Sequence, residues 1–222
     1  VVIEADFSPN SIALLLSLIE KSMIIVPITD SVKNKDNFIN ISKGELIIKI
    51  TKDDDVTITR LQKKSEHQLY KKLKSRGHPG LVLFSSGSTG DSKASVHDIT
   101  FLLDKFKVTR HRFTTITFLL YDHIGGFNTL FYTLSNAGKI VTPLKRTASS
   151  ILSLIEKFKV ELLPTSPSFL NLILLSEEYK NFDLKSLKII TYGTEPMPET
   201  TLSRLNEIFP KIKFTQTYGL SE

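Results

Sequence analysis

The chain has 222 residues, 41% hydrophobic and 23% charged, a balance that excludes a disordered, collagen-like or coiled-coil protein and allows one large domain or two small ones. Its formal net charge of +6 is spread over lysines interleaved with acids and apolar residues, with no aromatic-rich reader of bases beside them, so nucleic acid is not expected as a partner. There is no cysteine, which removes disulfides and thiol chemistry, and the longest mainly apolar run, residues 12–19, is too short to span a bilayer.

From the amino end, Ser8-Pro9 supplies a cap and a first helical position for a helix presenting Ile12, Leu15, Leu16 and Ile19, and Ile24-Ile25-Val26 follows as a strand. The sequence opens Val1-Val2-Ile3-Glu4, which does not read as a basic leader, and a cytoplasmic setting is expected. Residues 45–50 and 56–60 alternate around Lys52-Asp53-Asp54-Asp55 and predict a hairpin, taken as an appendage to the main fold. The aspartates lack EF-hand spacing, so a solvated tip is expected there rather than a cation site. Lys71, Lys72, Lys74 and Arg76 fall on a surface helix as a solvated face. Strands are then predicted at 81–84, 115–119, 139–142, 160–163, 187–191 and 212–215. Helices alternate with them, from Asp98, from about Gly125, and over 148–158, 168–175 and 198–209. The alternation predicts an α/β fold of mostly parallel β-sheets flanked by helices, in βαβ layers, with ligands at the carboxyl ends of strands.

Strand 81–84 runs into Ser85-Ser86-Gly87-Ser88-Thr89-Gly90-Asp91-Ser92-Lys93. Glycines let backbone N–H groups turn towards a phosphate, hydroxyls add donors, and lysine adds a mobile positive charge, which together make a polyphosphate cradle. The plainer alternative is a flexible serine-glycine turn. The P-loop spacing fails, because Ser92 precedes the lysine and Ala94 follows it, and the serine-hydrolase elbow fails because Ser88 follows Gly87 directly. His123 stands in Tyr121-Asp122-His123-Ile124-Gly125-Gly126-Phe127, between a strand and a helix; alone it is more often a structural or surface histidine. His97 and Asp98 suit a helix cap better than a catalytic pair. Near the carboxyl end, Tyr218 can stack on a purine, the Ser221 hydroxyl can donate to a phosphate, and Glu222 offers a hard oxygen to magnesium. Taken singly, a Tyr-Gly pair is also a turn beside a packed ring, and Ser-Glu also plain surface.

The run Ser-Ser-Gly-Ser-Thr-Gly-x-x-Lys resembles the phosphate-binding signature of the adenylate-forming, AMP-binding superfamily, which includes acyl-CoA synthetases, nonribosomal adenylation domains and luciferases. Ser92 stands where that family usually has proline. Gly193-Thr194-Glu195-Pro196-Met197 is similar to the family's segment lining the adenine and acyl pockets. Gln216-Thr217-Tyr218-Gly219-Leu220-Ser221-Glu222 is similar to its Tyr-Gly-x-Thr-Glu signature, with serine for threonine. The three motifs follow the family's order. The resemblance implies ATP-dependent activation of a carboxylic acid, a fatty acid among the options, to an acyl-adenylate with pyrophosphate release. Thioester formation follows, on CoA or on the phosphopantetheine thiol of a carrier protein.

By the same resemblance, nucleotide contacts fall to Ser85, Ser86, Gly87, Ser88, Thr89, Gly90, Lys93, Gly193, Thr194, Glu195, Pro196, Thr217, Tyr218, Gly219 and Ser221. Catalytic roles fall to Lys93, His123, Ser221 and Glu222, with Glu222 holding Mg2+ and His123 beside the acid's carboxylate and the α-phosphate. Tyr121, Phe127, Tyr192 and Thr194 are expected to line an apolar acyl groove. Residues 1–222 are expected to form a partial N-terminal domain, with a first α/β segment over 1–80 and a nucleotide-binding segment over 81–222. A C-terminal domain carrying the adenylation lysine is expected to be missing, which would make the chain an incomplete and nearly inactive catalytic unit. The alternative is a non-catalytic nucleotide-binding or scaffold module.

Overall fold

Short apolar strands alternating with amphipathic helices build two units in the computed structural model, which describes residues 1–62, 64–85 and 92–219. Of the described residues, one unit comprises Val1–Val108 with Leu120–Phe127; the other comprises Thr109–Leu119 with residues 128–219. Among the described residues no helix is long and apolar enough to cross a membrane.

The first unit runs β1 (Val2–Glu4), α1 (Pro9–Glu20), β2 (Ile24–Ile28), α2 (Lys35–Ile41), β3 (Leu46–Ile50), β4 (Val56–Arg60), α3 (Gln68–Arg76), β5 (Gly80–Ser85), β6 (Lys93–Asp98) and α4 (Ile99–Asp104). Its sheet has the order β4-β3-β1-β2-β5-β6. The four inner strands are parallel, and β4 and β6 close the two edges antiparallel. Strand alternation puts Val2, Ile24, Val26, Val82 and Phe84 on one face, packed with Ile39 of α2 and with Tyr70 and Leu73 of α3. Ile3, Ile25, Leu81 and Leu83 fall on the opposite face and are equally buried, as a sheet covered on both sides requires. The start of α1 follows the sequence signal: Ser8 and Ser11 form a reciprocal capping box and Pro9 takes the first helical position.

The hairpin differs from its expected role as an appendage. β3 pairs in parallel with β1, Val2 opposite Ile47, and its Ile48 and Ile50 are buried, so only β4 is peripheral. Nor is the tip simply solvated. Asp54 accepts from the Ser8 hydroxyl and from the Asn10 N–H at 3.3 Å, which docks a carboxylate on the amino end of α1, where unpaired N–H groups favour an anion. The basic residues of α3 do form a solvated face, with Tyr70 and Leu73 turned inward.

The second unit holds β7 (Thr114–Ile116), α5 (Ile124–Ser135), β8 (Lys139–Val141), α6 (Ala148–Phe158), β9 (Leu162–Thr165), α7 (Pro167–Ser176), β10 (Ile189–Tyr192), α8 (Glu199–Ile208) and β11 (Lys213–Gln216); the division between the units falls within α5. The sheet order is β11-β10-β9-β7-β8, parallel throughout, and the direction of winding reverses between β7 and β9. Ile151, Leu152 and Ile155 of α6 pack with Leu170, Ile173 and Leu174 of α7, Leu163, Ile190 and Leu205 into one core. The third strand of this unit starts later than its apolar run, because the Val160 N–H closes on the Ile155 carbonyl at 3.1 Å and holds that residue at the end of α6.

Candidate functional site

In the first unit β5 is buried from Gly80 to Phe84 and ends at Ser85, whose register partner across the antiparallel pair is Lys93, the first residue of β6. The Phe84 ring stacks on Phe38 at 3.9 Å, which steadies the strand end. Ser85 and Lys93 therefore bracket the expected phosphate cradle at the carboxyl edge of the sheet, with the Lys93 residue exposed. Ser86, Gly87, Ser88, Thr89 and Gly90 lie outside the described residues, as do Ser221 and Glu222. Asp98 caps α4 by accepting from the Thr100 N–H at 3.0 Å, and its other oxygen meets His78 Nδ1 at 2.8 Å.

His123 precedes α5. Its carbonyl accepts from the Phe127 N–H at 3.1 Å, and its ring is 55% exposed. The neighbouring Asp122 is part-buried, its side chain 10% exposed, and its Oδ2 accepts from both the N–H and the hydroxyl of Thr29, at 3.0 and 2.7 Å. Because the Thr29 hydroxyl proton goes to Asp122, Ser31 donates to Thr29 Oγ1 in turn, at 2.7 Å. Asp122 Oδ1 is buried, has no hydrogen-bond partner among the described residues, and lies 3.8 Å from His123 Nε2. Tyr121 differs from its expected place in an acyl groove. It is a core residue whose hydroxyl donates to the Ser11 carbonyl at 3.1 Å and whose ring meets Phe7 edge-on, and burial pushes its phenol well above the usual range. Phe127 and Tyr192 are buried as well; of the four groove residues only Thr194 is exposed.

In the second unit the register sets Tyr192 opposite both Gln216 and Thr165, so the segments after β9, β10 and β11 all emerge at the carboxyl edge of one parallel sheet. The Thr217 N–H donates to the Tyr192 carbonyl at 2.7 Å and its hydroxyl donates there at 3.2 Å, which lays Thr217 over Gly193. A Cβ on Gly193 would stand 2.7 Å from both the carbonyl and the hydroxyl oxygen of Thr217, so only glycine fits. Thr194 has φ of +72°, a left-handed conformation unusual for a β-branched residue. Glu195 turns to the start of α7, accepting from the Ser168 N–H at 2.7 Å and the Ser168 hydroxyl at 2.8 Å; these bonds, the backbone one foremost, hold its carboxyl below the usual range. Pro196 and Gly219 are exposed, and Tyr218 is 91% exposed.

Sequence reasoning passed over Asp122, Thr29 and Ser168. The first was visible as an acid beside a histidine; the other two reach the site only through tertiary contacts. A cavity of about 350 Å³ lies at the amino-terminal edge of the first sheet instead, lined by Val1, Ile24 and Leu46 together with the basic Lys43, Arg60 and Lys74, on the edge opposite to Ser85. Among the described residues no three His, Asp or Glu side chains gather as a metal site.

Residues 1–222 match the family profile described as AMP-binding enzyme. The chain is 29% identical over 154 residues to 4-coumarate–CoA ligase-like 9 of Arabidopsis thaliana, covering 65% of this chain and 27% of that protein. It is 28% identical over 152 residues to 4-chlorobenzoate–CoA ligase of Pseudomonas sp. (strain CBS-3), covering 64% of this chain and 29% of that one. The chain thus spans less than a third of the length of these curated relatives. Among solved structures, the inhibitor-bound N-terminal domain of FACL13 from Mycobacterium tuberculosis matches all of this chain and 63% of its own, with a TM-score of 0.76 at 17% identity, a likeness of fold.

Proposed function

This chain belongs to the AMP-binding enzyme family, and on that premise we propose that it serves the ATP-dependent activation of a carboxylic acid. A carboxylate oxygen attacks the α-phosphorus of ATP, the bond from that phosphorus to the bridging oxygen breaks, and pyrophosphate leaves with the electron pair. The acyl-AMP then passes its acyl group to a thiol sulfur, of CoA or of a carrier-protein phosphopantetheine, and releases AMP. The match over residues 1–222 is what supports this most, joined to hydroxyls, glycines and a lysine in the stretch 85–93.

Negative charge grows on the phosphates in the first step, so fixed donors and cations lower the barrier by electrostatics and positioning. Lys93 and the stretch from Ser85 are assigned to the β- and γ-phosphates, Tyr218 to the adenine face, and Ser221 to the α-phosphate. Thr194, in its left-handed conformation beside Gly193, is assigned to the nucleotide and acyl side of the site, and strain of this kind is often kept at ligand clamps. Magnesium usually takes one or two carboxylates together with phosphate oxygens; Glu222 would hold it, and it would supply charge neutralisation. A cytoplasmic setting, where ATP and thiol acceptors are at hand, goes with this reaction.

The test is pyrophosphate release by the full-length protein across fatty, aromatic and amino acids; the two curated relatives described above are named for aromatic acids, which earns those a place in the panel. Release that depends on one class of acid, on ATP and on magnesium is expected. ATP binding without release for any acid would point to the non-catalytic nucleotide-binding module instead.

A further inference from the structure

We propose that Asp122 is a positioning residue for His123: Thr29 locks one oxygen of its carboxylate so that the other is presented to the histidine ring. The observation is the unequal treatment of the two oxygens. Oδ2 receives two hydrogen bonds from Thr29, at 3.0 and 2.7 Å, and the second is backed by Ser31 at 2.7 Å. Oδ1 is itself buried and, among the described residues, receives none. An ionised carboxylate accepts at both oxygens, and a buried acceptor left unmatched is unfavourable enough that it is rarely kept without a purpose.

A donor in reach among the described residues is His123. Its Nε2 stands 3.8 Å from Oδ1, inside ion-pair range and beyond a hydrogen bond. The ring is 55% exposed, so a modest turn about its side-chain bonds closes the gap without displacing packed atoms. Contacts of this kind are commonly long until a ligand arrives. Thr29 follows β2 directly, and β2 is the parallel neighbour of β5, the strand that ends at Ser85. The clamp therefore ties the turn before α5 to the sheet edge from which the expected phosphate cradle emerges.

The chemical consequence lies in the histidine's tautomer. A proton on Nε2 given to Asp122 leaves Nδ1 as the nitrogen that meets a ligand. That this ligand is the reacting carboxylate or the α-phosphate rests on the function proposed above; the Asp122–His123 geometry does not.

Asp122→Asn separates positioning from mere scaffolding. The amide oxygen still accepts from Thr29, but the NH2 group turned towards His123 cannot accept the Nε2 proton. With histidine side chains labelled in 15N in the intact protein, the expected wild-type spectrum shows His123 in its Nε2-protonated form, and Asp122→Asn moves it towards the averaged pattern of a free histidine. Thr29→Val, which keeps the carboxylate but loosens it, is expected to shift His123 the same way by a smaller amount. In full-length protein, Asp122→Asn is expected to lower the kcat of ATP–pyrophosphate exchange about tenfold or more, with the KM for ATP within about twofold. An unchanged His123 spectrum in a folded Asp122→Asn variant overturns the proposal. Absence of exchange in the wild type with every acid would sink the proposed function and leave the spectroscopic result to decide this one.

Discussion

Gly193 occupies a place where a side chain has no room, with the Thr217 carbonyl and hydroxyl each 2.7 Å from where a Cβ would stand. Gly193→Ala must push the segments after β10 and β11 apart, at about 1–3 kcal/mol. A lower melting temperature and weaker ATP binding are expected together, read by thermal denaturation and nucleotide titration; a variant that melts and binds like the wild type contradicts the close approach. Glu195 carries a pH dependence whose sign follows from its bonds to Ser168. A carboxyl held below its ordinary 4.5 stabilises the fold above that value and loses the contribution as pH falls through its lower folded value. The melting-temperature gap between wild type and Glu195→Gln is therefore expected to narrow from about pH 6 to about pH 3.5, and a gap that widens on acidification would reverse the assignment. At this scale Gly193 and Glu195 were legible as motif members, but the structural reason for each was not. Thr217 over Gly193 joins two strand ends, and Ser168 under Glu195 joins the start of α7 to the segment after β10; no local pattern records either contact.

Elements with strong local signals were read nearly as they fold. Thr147 caps α6, the apolar period runs through Ile151, Leu152 and Ile155, and the predicted 148–158 coincides with the helix. β1 and α2 were missed because three residues and seven residues carry too little periodicity to stand out. The hairpin was visible, but its first strand's parallel pairing with β1 was not, since parallel partners are set by the fold rather than by a turn. The end of α3 illustrates a local device that can be tested alone. Gly77 has φ of +67°, and a Cβ there would touch nothing within 4 Å, so Gly77→Ala carries only the conformational penalty, about 1 kcal/mol. Denaturant titration should show a loss of that size; a loss matching that of Gly193→Ala would mean a clash where none is built.

Each unit brings its share of the motif residues to the carboxyl edge of its own parallel strands, which is where an alternating α/β chain was expected to hold a ligand. That edge was legible because strand, loop and helix signals repeat in order along the chain. The cavity at the opposite edge of the first sheet was not, because Lys43, Arg60 and Lys74 are brought together from a loop, a strand and a helix far apart in the chain. The two edges make rival claims on a triphosphate: one offers glycines, hydroxyls and Lys93 beyond β5, the other a ready volume lined by three basic side chains and the acid Glu45. A crystal structure of the protein with ATP and magnesium decides between them. The β- and γ-phosphates are expected between Ser85 and Lys93; triphosphate density beside Lys43, Arg60 and Lys74, with the stretch after β5 empty, would contradict the account.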